Sequence, residues 1–319
     1  LWALYLWREG VLSIAVAEVE PTFEKSHPGE LFDCWVERHR LFAARSGEAL
    51  PLGTREVGKP WGREVWFTGV EKRAVCSFVD GSAEVPQPWL LAALPGADYA
   101  QAGKPTLLLK ILDPSPERVT GDLYFELHRD KEEVYVVTQI DPAAWEGGVG
   151  YLRYGFDPVC RARHGDEPQF RHAYLEAAEA YRDVRETIDA LPSGDPAADR
   201  LQSRERELRA AMDAFTWLKP VSRGDVVHVP RRLPHALQHG VQVIEFQTPV
   251  YERKILSFAQ QVLTQSHWDT AEAVAEMKLL PPREAPRPML RDVGGASERL
   301  IAEAADFELR RLRIAPGAR

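Results

Sequence analysis

Two histidines and a group of carboxylates are the residues in this sequence best suited to chemistry. On a strand, Glu126 and His128 would point to the same face, because side chains alternate along a strand. A loop of four residues then brings in the acidic pair Glu132 and Glu133 on the neighbouring strand. A loop can shift register by one residue, so spacing alone leaves open which of these two glutamates joins the cluster.

A second histidine, His235, comes much later in the chain, at the end of a predicted strand, turn and strand unit. Two imidazoles and two carboxylates suit a five- or six-coordinate divalent metal with room left for a substrate. The candidate metal ligands are Glu126, His128, His235 and one of the two glutamates Glu132 and Glu133.

Short apolar runs separated by turn residues would place these side chains. Such runs predict antiparallel strands at residues 64–68, 74–78, 106–112, 123–127, 133–138, 225–229, 236–237 and 241–248. The run at 307–314 also alternates like a strand. Because no partner follows it, we expect the chain to be a fragment cut within a further domain.

Helical spacing of apolar residues occurs in the segments between these strands. Residues 18–44 predict a helical cap at the N-terminus, and shorter helices are predicted at 88–94 and 270–277. Residues 167–219 predict a helical hairpin around the turn Pro-Ser-Gly-Asp-Pro, inserted into the sheet where it could cover a substrate. The proline-rich stretch after residue 280 predicts a linker.

Composition excludes several other classes of protein. The chain has 319 residues, 45% hydrophobic and 28% charged, which argues against wholesale disorder and against a small disulfide scaffold. A protein with a net charge of -8 lacks the positive electrostatic field that would attract nucleic acid or an anionic membrane. The three cysteines are far apart and form no C-x-x-C pair, so we expect a reducing, cytoplasmic location. No apolar run reaches the ~18 residues of a membrane helix.

The order of five motifs resembles the class I mannose-6-phosphate isomerases of the cupin superfamily. The motifs are Lys59-Pro-Trp-Gly62, the run 107–113 ending in Asp113, the Glu126-x-His128 element, the helical excursion, and Lys219-Pro-x3-Gly-Asp-x3-Val-Pro followed by Pro-His-Ala. This resemblance covers residues 57–254. It implies a mainly β fold: a cupin (jelly-roll) barrel with an N-terminal helical segment and a helical-hairpin insertion.

The predicted domains follow from this resemblance and from the patterns above. They are a helical cap at 1–54, a cupin domain at 55–265 containing the insertion 167–219, a helix and linker at 266–303, and the start of a truncated second cupin domain at 304–319.

The resemblance also implies an activity: isomerisation of an aldose and a ketose of a hexose phosphate through an enediol, with zinc as the metal. The family's Lys-x-Glu falls on Lys131-x-Glu133, which favours Glu133 over Glu132 as the ligand. Lys110, Lys131 and Arg253 are the implied catalytic residues. Lys110 and Arg253 would stabilise the negative charge of the enediolate.

Three departures from the family pattern bear on the substrate and the metal. Glu126 replaces a glutamine, which adds a negative charge and opens the site to manganese or iron. Tyr124 replaces a phosphate-binding serine, and Arg231 with Arg232 replaces a small loop where it could meet an anion. The predicted partner is a small sugar or sugar phosphate. The alternatives are another cupin enzyme, such as an iron oxygenase, or a sugar-binding cupin without catalysis.

Overall fold

A computed structural model provides the structure of the chain. It describes residues 1–21, 28–71, 74–96, 107–192, 194–257, 268–283 and 286–317. The predicted strand start at residue 106, the predicted domain end at 265 and Ser193 of the predicted turn lie outside these residues. The chain divides into two compact units, one formed by residues 1–57 and 64–111, the other by 58–63 and 112–319. The predicted domain boundary between residues 54 and 55 stays a prediction.

The first unit and the strands that lead out of it contain ten strands and two helices among the described residues. They are β1 (Trp2–Arg8), β2 (Val11–Ala17), α1 (Pro28–His39), β3 (Ala43–Arg45), β4 (Arg55–Lys59), β5 (Gly62–Trp66), β6 (Val70–Glu71), β7 (Ala74–Val75), β8 (Ser77–Asp80), β9 (Ala83–Pro86), α2 (Gln87–Ala93) and β10 (Leu108–Pro114). Strands β4, β5 and β10 have residues in both units.

The N-terminal segment is not the helical cap that the sequence pattern predicts. β1 and β2 form an antiparallel hairpin, β3 adds to β2, and α1 supplies the buried Phe32 and Trp35 that pack with this sheet. The hairpin turn places Glu9 at φ 53° and Gly10 at φ 81°, and two residues at positive φ match the twist of paired strands. The apolar runs on either side of this turn therefore pair as strands.

The second unit continues with eleven strands and four helices among its described residues. They are β11 (Phe125–Leu127), β12 (Glu133–Ile140), β13 (Val149–Phe156), α3 (Pro158–Arg163), α4 (Glu167–Asp189), α5 (Pro196–Asp213), β14 (Thr216–Ser222), β15 (Val226–Val229), β16 (His235–Leu237), β17 (Val241–Gln247), β18 (Lys254–Ser257), α6 (Thr270–Glu276), β19 (Met289–Val293), β20 (Ala296–Glu303) and β21 (Glu308–Ile314).

Two antiparallel groups of strands face each other in this unit. β12 pairs with β15 on one side and β17 on the other, and the second sheet has the order β14-β13-β16-β11-β18. Their facing side chains form one buried cluster, to which Tyr135, Leu152, Leu237, Val243 and Ile255 belong. The period-two alternation that marked these runs as strands thus also separates the side chains inside the sandwich from those outside it.

The predicted helical hairpin is present as α4 and α5, inserted between the paired strands β13 and β14. Asp166 and Asp195 cap the two helices by accepting backbone N–H groups of their first turns. The buried side of α4 packs with Phe125 and Leu127, which point to the outer face of β11. The hairpin therefore lies behind the sheet, on the face opposite Glu126, and the prediction that it covers the site is wrong.

The C-terminal strands form a small antiparallel sheet of order β19-β20-β21. Its Ile301, Ala302 and Leu309 pack against Val134 of β12. Residues 289–303, expected to be linker, are strands because Gly294 and Gly295, at φ 60° and 83°, form a tight hairpin turn. The strand expected near the C-terminus is present, but its partner β20 precedes it, so the argument from a missing partner fails.

The structure confirms a mainly β protein with a helical-hairpin insertion. Its strands form packed sheets, and closure into a single jelly-roll barrel stays a prediction. Among the described residues, no helix is both long enough and apolar enough to cross a bilayer.

Candidate metal centre

Three strands, β11, β12 and β16, bring the predicted ligands together. Glu126 on β11 lies directly opposite His235 on β16 in an antiparallel pair. His128 follows β11 by one residue, and Glu133 is the first residue of β12. Alternation directs Glu126 inward while its neighbours Phe125 and Leu127 point outward, as the pattern predicts.

Glu126, His128 and His235 form a group suited to holding a metal ion. Each offers one ligand atom, and these atoms all lie within 4.8 Å of one another. The side chains of His128 and His235 are 1% and 2% exposed, whereas that of Glu126 is 21% exposed. Glu126 therefore lies on the side of the group that solvent reaches.

Both histidines are oriented through their second ring nitrogen. Nδ1 of His128 lies 2.8 Å from the carbonyl oxygen of Glu252, and Nδ1 of His235 lies 3.0 Å from the carbonyl oxygen of Leu233. A carbonyl only accepts, so each Nδ1 carries the proton and donates it. This arrangement leaves Nε2 as the coordinating atom, as is usual for histidines that bind metals.

Glu133 contacts both imidazoles. Its Oε1 lies 3.2 Å from Nε2 of His128, and its Oε2 lies 3.1 Å from Nε2 of His235. Nζ of Lys131 lies 2.7 Å from Oε1, and the Tyr135 hydroxyl donates to Oε2 at 2.6 Å. Glu133 thus borders the three-residue group as a fixed carboxylate, and its role as a fourth ligand stays a prediction.

Burial and charge set the protonation of this cluster. Burial alone would raise the pKa of Glu133, but Lys131 and the two histidines outweigh it and hold the pKa well below the usual range. Burial, together with the charge of Lys131, lowers the pKa of His128. Burial opposes the charged form of His235 as well, yet its hydrogen bond to Glu133 and the charge of that carboxylate raise its pKa.

The choice between Glu132 and Glu133 rests on their different surroundings. Glu133 points inward between the histidines, whereas Glu132 accepts the backbone N–H of Ala305 at 2.8 Å. Oε2 of Glu132 also lies 3.7 Å from Nε2 of His228. Glu133 therefore lies beside both imidazoles, whereas Glu132, in the loop before β12, contacts other groups.

Two buried polar atoms show that the residues present fit a cation. Among the described residues, neither Nε2 of His128 nor Oε2 of Glu126 has a well-formed hydrogen-bond partner. Since Nδ1 of His128 holds the proton, its Nε2 presents a lone pair to the Oε1 of Glu133. A buried lone pair facing a carboxylate is unfavourable unless a cation lies between them. Two imidazoles with carboxylate oxygens suit zinc, manganese and iron.

Arg253 and Tyr124 lie beside the exposed edge of this cluster. Nη1 of Arg253 lies 3.7 Å from Oε2 of Glu126, and its guanidinium lies over the Tyr124 ring, 5.3 Å from the ring centre. Tyr124 itself is buried in the core of the sandwich. The Arg253 side chain is 29% exposed, so it can meet a molecule that enters beside Glu126.

The other predicted substrate and catalytic residues have different surroundings. Arg231 lies near two acidic residues, 4.0 Å from Glu132 and 3.7 Å from Asp306, and Arg232 is exposed at φ 66°. In the first unit, Lys110 is buried, 3.9 Å from the Glu64 carboxylate and over the Trp66 ring. The role of Lys110 in this site stays a prediction.

Sequence reasoning missed two residues that support the cluster. Tyr135 holds Glu133, and its position two residues along the same strand was a usable signal. Glu252 orients His128 through its carbonyl, and its carboxylate accepts the backbone N–H groups of Arg129 and Asp130. No local spacing connects Glu252 with His128, because the two residues are 124 positions apart.

The packed antiparallel sheets and the clustered side chains define a mainly β protein with a candidate metal site. The same fold occurs in mannose 6-phosphate isomerase from Bacillus subtilis, at 12% sequence identity and TM-score 0.54, over 83% of this chain and 80% of that chain. It also occurs in two single-substitution variants of phosphomannose isomerase from Salmonella typhimurium, at TM-scores 0.53 and 0.52, 12% identity, and coverage of 82% of this chain and 82% of each of those chains.

The likeness expected from the motifs is therefore confirmed at the level of the fold. No protein-family model matches the sequence, and no curated protein matches it.

Proposed function

We propose that this chain is a metal-dependent aldose–ketose isomerase acting on a hexose phosphate. The observation that carries the proposal is the convergence of Glu126, His128 and His235 within 4.8 Å on the fold of mannose-6-phosphate isomerases. Glu133, which contacts both imidazoles, is the fourth ligand in this proposal. A bound divalent metal, with zinc preferred and manganese or iron compatible, would polarise the carbonyl and hydroxyl oxygens of the substrate.

The side chains around the cluster support the charge changes that such a reaction needs. Moving a proton between adjacent carbons creates a negatively charged enediolate, and oriented cations stabilise it. In this proposal Arg253, whose Nη1 lies 3.7 Å from Glu126, would contact that charge. Lys131 acts through Glu133, because its ammonium group keeps that carboxylate ionised and fixed, so Lys131 is a positioning residue.

Phosphate recognition is the part of the proposal with the fewest residues to support it. Arg231 already lies near Glu132 and Asp306. Arg253 likewise lies 3.7 Å from Glu126, so the exposed Arg232 is the cation that this proposal assigns to an anionic substrate. Tyr124, beneath the Arg253 guanidinium, can only support that arginine or offer its ring edge.

The test combines metal analysis with a substrate panel. Elemental analysis should find about one divalent metal per chain, and metal-loaded protein should convert one of a panel of phosphorylated and free aldoses to its ketose. Metal-stripped protein is the control and should be inactive until the metal is restored. Metal binding without conversion of any aldose would favour a sugar-binding module.

A second candidate function rests on the same three residues. Two histidines and one carboxylate are the ligands of non-haem iron oxygenases. Glu133 as a fourth protein ligand would leave fewer positions for oxygen and a co-substrate. Iron-loaded protein that consumes oxygen with a small carbohydrate or acid would favour the oxygenase, and ketose formation without oxygen uptake would favour the isomerase.

A further inference from the structure

A cavity lies within the second unit, at the opposite end of β12 from the metal centre. β12 begins at Glu133 and runs for eight residues to Ile140, which at about 3.3 Å per residue separates its ends by roughly 23 Å. The loop after β12 carries Trp145, which lines this cavity. None of the four predicted metal ligands lines it.

The cavity has the size of a small-molecule site and an unusual share of arginines. Its volume is about 940 Å³, and four arginines line it. Arg118 comes from the loop between β10 and β11, Arg153 from β13, and Arg206 with Arg209 from α5. Guanidinium groups converging from three separate segments are suited to binding phosphate.

The carboxylates of the cavity already have cationic partners. Oδ1 of Asp122 lies 2.7 Å from Nδ1 of His239, and Oδ2 of Asp213 accepts from Arg153 at 2.8 Å. Within the described part of the chain, Arg118 and Arg206 form no ion pair, and Arg209 lies 3.5 Å from Glu205. The cavity therefore keeps an excess of positive charge.

The loop that carries Arg118 is held in a strained conformation. Val119 has φ 74°, a region that a β-branched residue rarely adopts. Gly121 is wedged so closely that a Cβ there would lie 1.9 Å from the Ser115 carbonyl oxygen and 2.8 Å from Cβ of His239. Strain of this kind is kept where the surrounding structure enforces it, often at binding sites.

Two aromatic rings line the same cavity. Trp145 stacks on His239 with ring centres 4.4 Å apart, and Tyr151 lies 5.0 Å from Trp145. The indole N–H donates to the His239 carbonyl at 2.6 Å, which fixes the ring. A fixed aromatic surface beside arginines can bind a ring that carries an anionic group.

We infer that this cavity binds a small phosphate ester whose phosphate is attached to a ring-containing group, either a sugar or a nucleoside. The phosphate lies among Arg118, Arg206 and Arg209, and the ring lies against Trp145. This site is separate from the metal centre and does not depend on the activity proposed for it.

Calorimetric titration of the full chain tests this site. The probes are AMP, glucose 6-phosphate, inorganic phosphate and uncharged glucose. We expect one phosphate ester to bind more tightly than inorganic phosphate, and glucose not to bind. Tighter binding of AMP would indicate a nucleoside phosphate, and tighter binding of glucose 6-phosphate would indicate a sugar phosphate. Glucose 6-phosphate belongs to the substrate class proposed for the metal centre, so both esters are also titrated into His235→Ala, in which binding at the arginine cavity should remain. Absence of ester binding at millimolar concentration would overturn the inference, as would loss of binding in His235→Ala.

Matched arginine variants locate the site. The double variant Arg118→Gln/Arg206→Gln should weaken ester binding at least about tenfold, since charged hydrogen bonds are lost. Arg204→Gln, on the same helix but outside the cavity, should not weaken it. Arg118 and Arg206 are exposed, so the double variant should keep the wild-type melting temperature. Trp145→Leu should weaken binding of the ester but not of inorganic phosphate. Equal effects of Arg204→Gln and the double variant would overturn the inference.

Discussion

The two ends of β12 carry opposite kinds of polar site. At one end, His128, Glu133 and His235 are each no more than 2% exposed and belong to strands or to the residue next to a strand. At the other end, Arg118 and Arg206 are exposed and belong to a loop and a helix. The first site carries carboxylates that converge with imidazoles, and the second carries an excess of arginines.

This difference teaches how burial constrains a polar site. Removing charged groups from water is costly, so the buried end keeps its charges only because each contacts a partner. Glu133 has Lys131, Tyr135 and two histidines around it. The arginine end needs no such pairing because water reaches it. We therefore expect tight, geometry-dependent binding at the first end and weaker, salt-dependent binding at the second.

The largest expected effect comes from removing a ligand at the buried end. His235→Ala removes the Nε2 atom that would coordinate the metal and leaves Glu133 with one fewer partner. Metal content should therefore fall from about one per chain to near zero. Isomerase activity should fall about 100-fold or more, as the lost metal no longer stabilises the developing charge. Elemental analysis and a ketose assay check both results.

The matched control for this variant is His172→Ala, which removes an exposed histidine on α4. It should keep full metal content and activity. If His235→Ala kept its metal, the buried cluster would not be a metal site and the contrast between the two ends would fail.

The next largest effect concerns turnover without loss of metal. Nη1 of Arg253 lies 3.7 Å from Oε2 of Glu126, the ligand of the three-residue group that solvent reaches. Arg253→Ala should lower kcat about 100-fold, as expected for loss of a cation that faces the transition state. Metal content should change little, and Arg253→Lys should restore part of the activity.

Arg232→Ala serves as the comparison for Arg253, since Arg232 is exposed and follows Arg231 in the loop before His235. A modest rise in KM with unchanged kcat would assign Arg232 to substrate binding alone. Full activity of Arg253→Ala would remove the catalytic part of the proposed function.

Local pattern was sufficient to predict most of the buried site. Alternation placed Glu126 and His128 on one face, and the two-part motif linked them to His235 across the sheet. The local sequence pattern could not reveal that Glu252 orients His128, because that contact depends on how distant segments pack. The arginine cavity was missed for the same reason, as its arginines come from three separate segments.

The fold was predicted best where a segment had strong periodicity and clear end signals. The two helices of the hairpin follow from their apolar spacing and their Asp caps. The N-terminal strands were missed because apolar residues at nearly every position of β1 hide the alternation of a strand. The last sheet was missed because a Gly-Gly turn inside a proline-rich region was taken as part of a linker.

A smaller effect tests whether support from neighbouring side chains matters at the buried end. Tyr135→Phe removes the hydroxyl that donates to Glu133 at 2.6 Å and leaves the ring in the core. Loss of such a supporting bond should weaken metal binding about 10- to 100-fold. A competition titration with a chelator measures this. Tyr5→Phe, which removes a hydrogen bond in the first unit, is the control and should leave metal affinity unchanged.

The smallest effect is a change in protonation of the metal-free protein. The pKa of His235 is raised because Glu133, through its hydrogen bond and charge, outweighs burial. Glu133→Gln removes that charge, so burial should dominate and lower the pKa of His235 below the ordinary value of about 6.5. NMR titration of the imidazole signals in metal-free protein measures the change.

Glu132→Gln is the matched control, because its carboxylate lies near His228 instead. It should lower the pKa of His228 further and leave that of His235 unchanged.

The stability that the raised pKa of His235 contributes is fully present below about pH 6.5 and is lost as pH rises through its folded pKa. The depressed pKa of Glu133 contributes stability above about pH 4.3, lost as pH falls through its folded pKa. The pair therefore stabilises metal-free protein most between these two values. If Glu133→Gln left the His235 titration unchanged, the carboxylate would not control this imidazole, and the pairing argument for the buried end would be wrong.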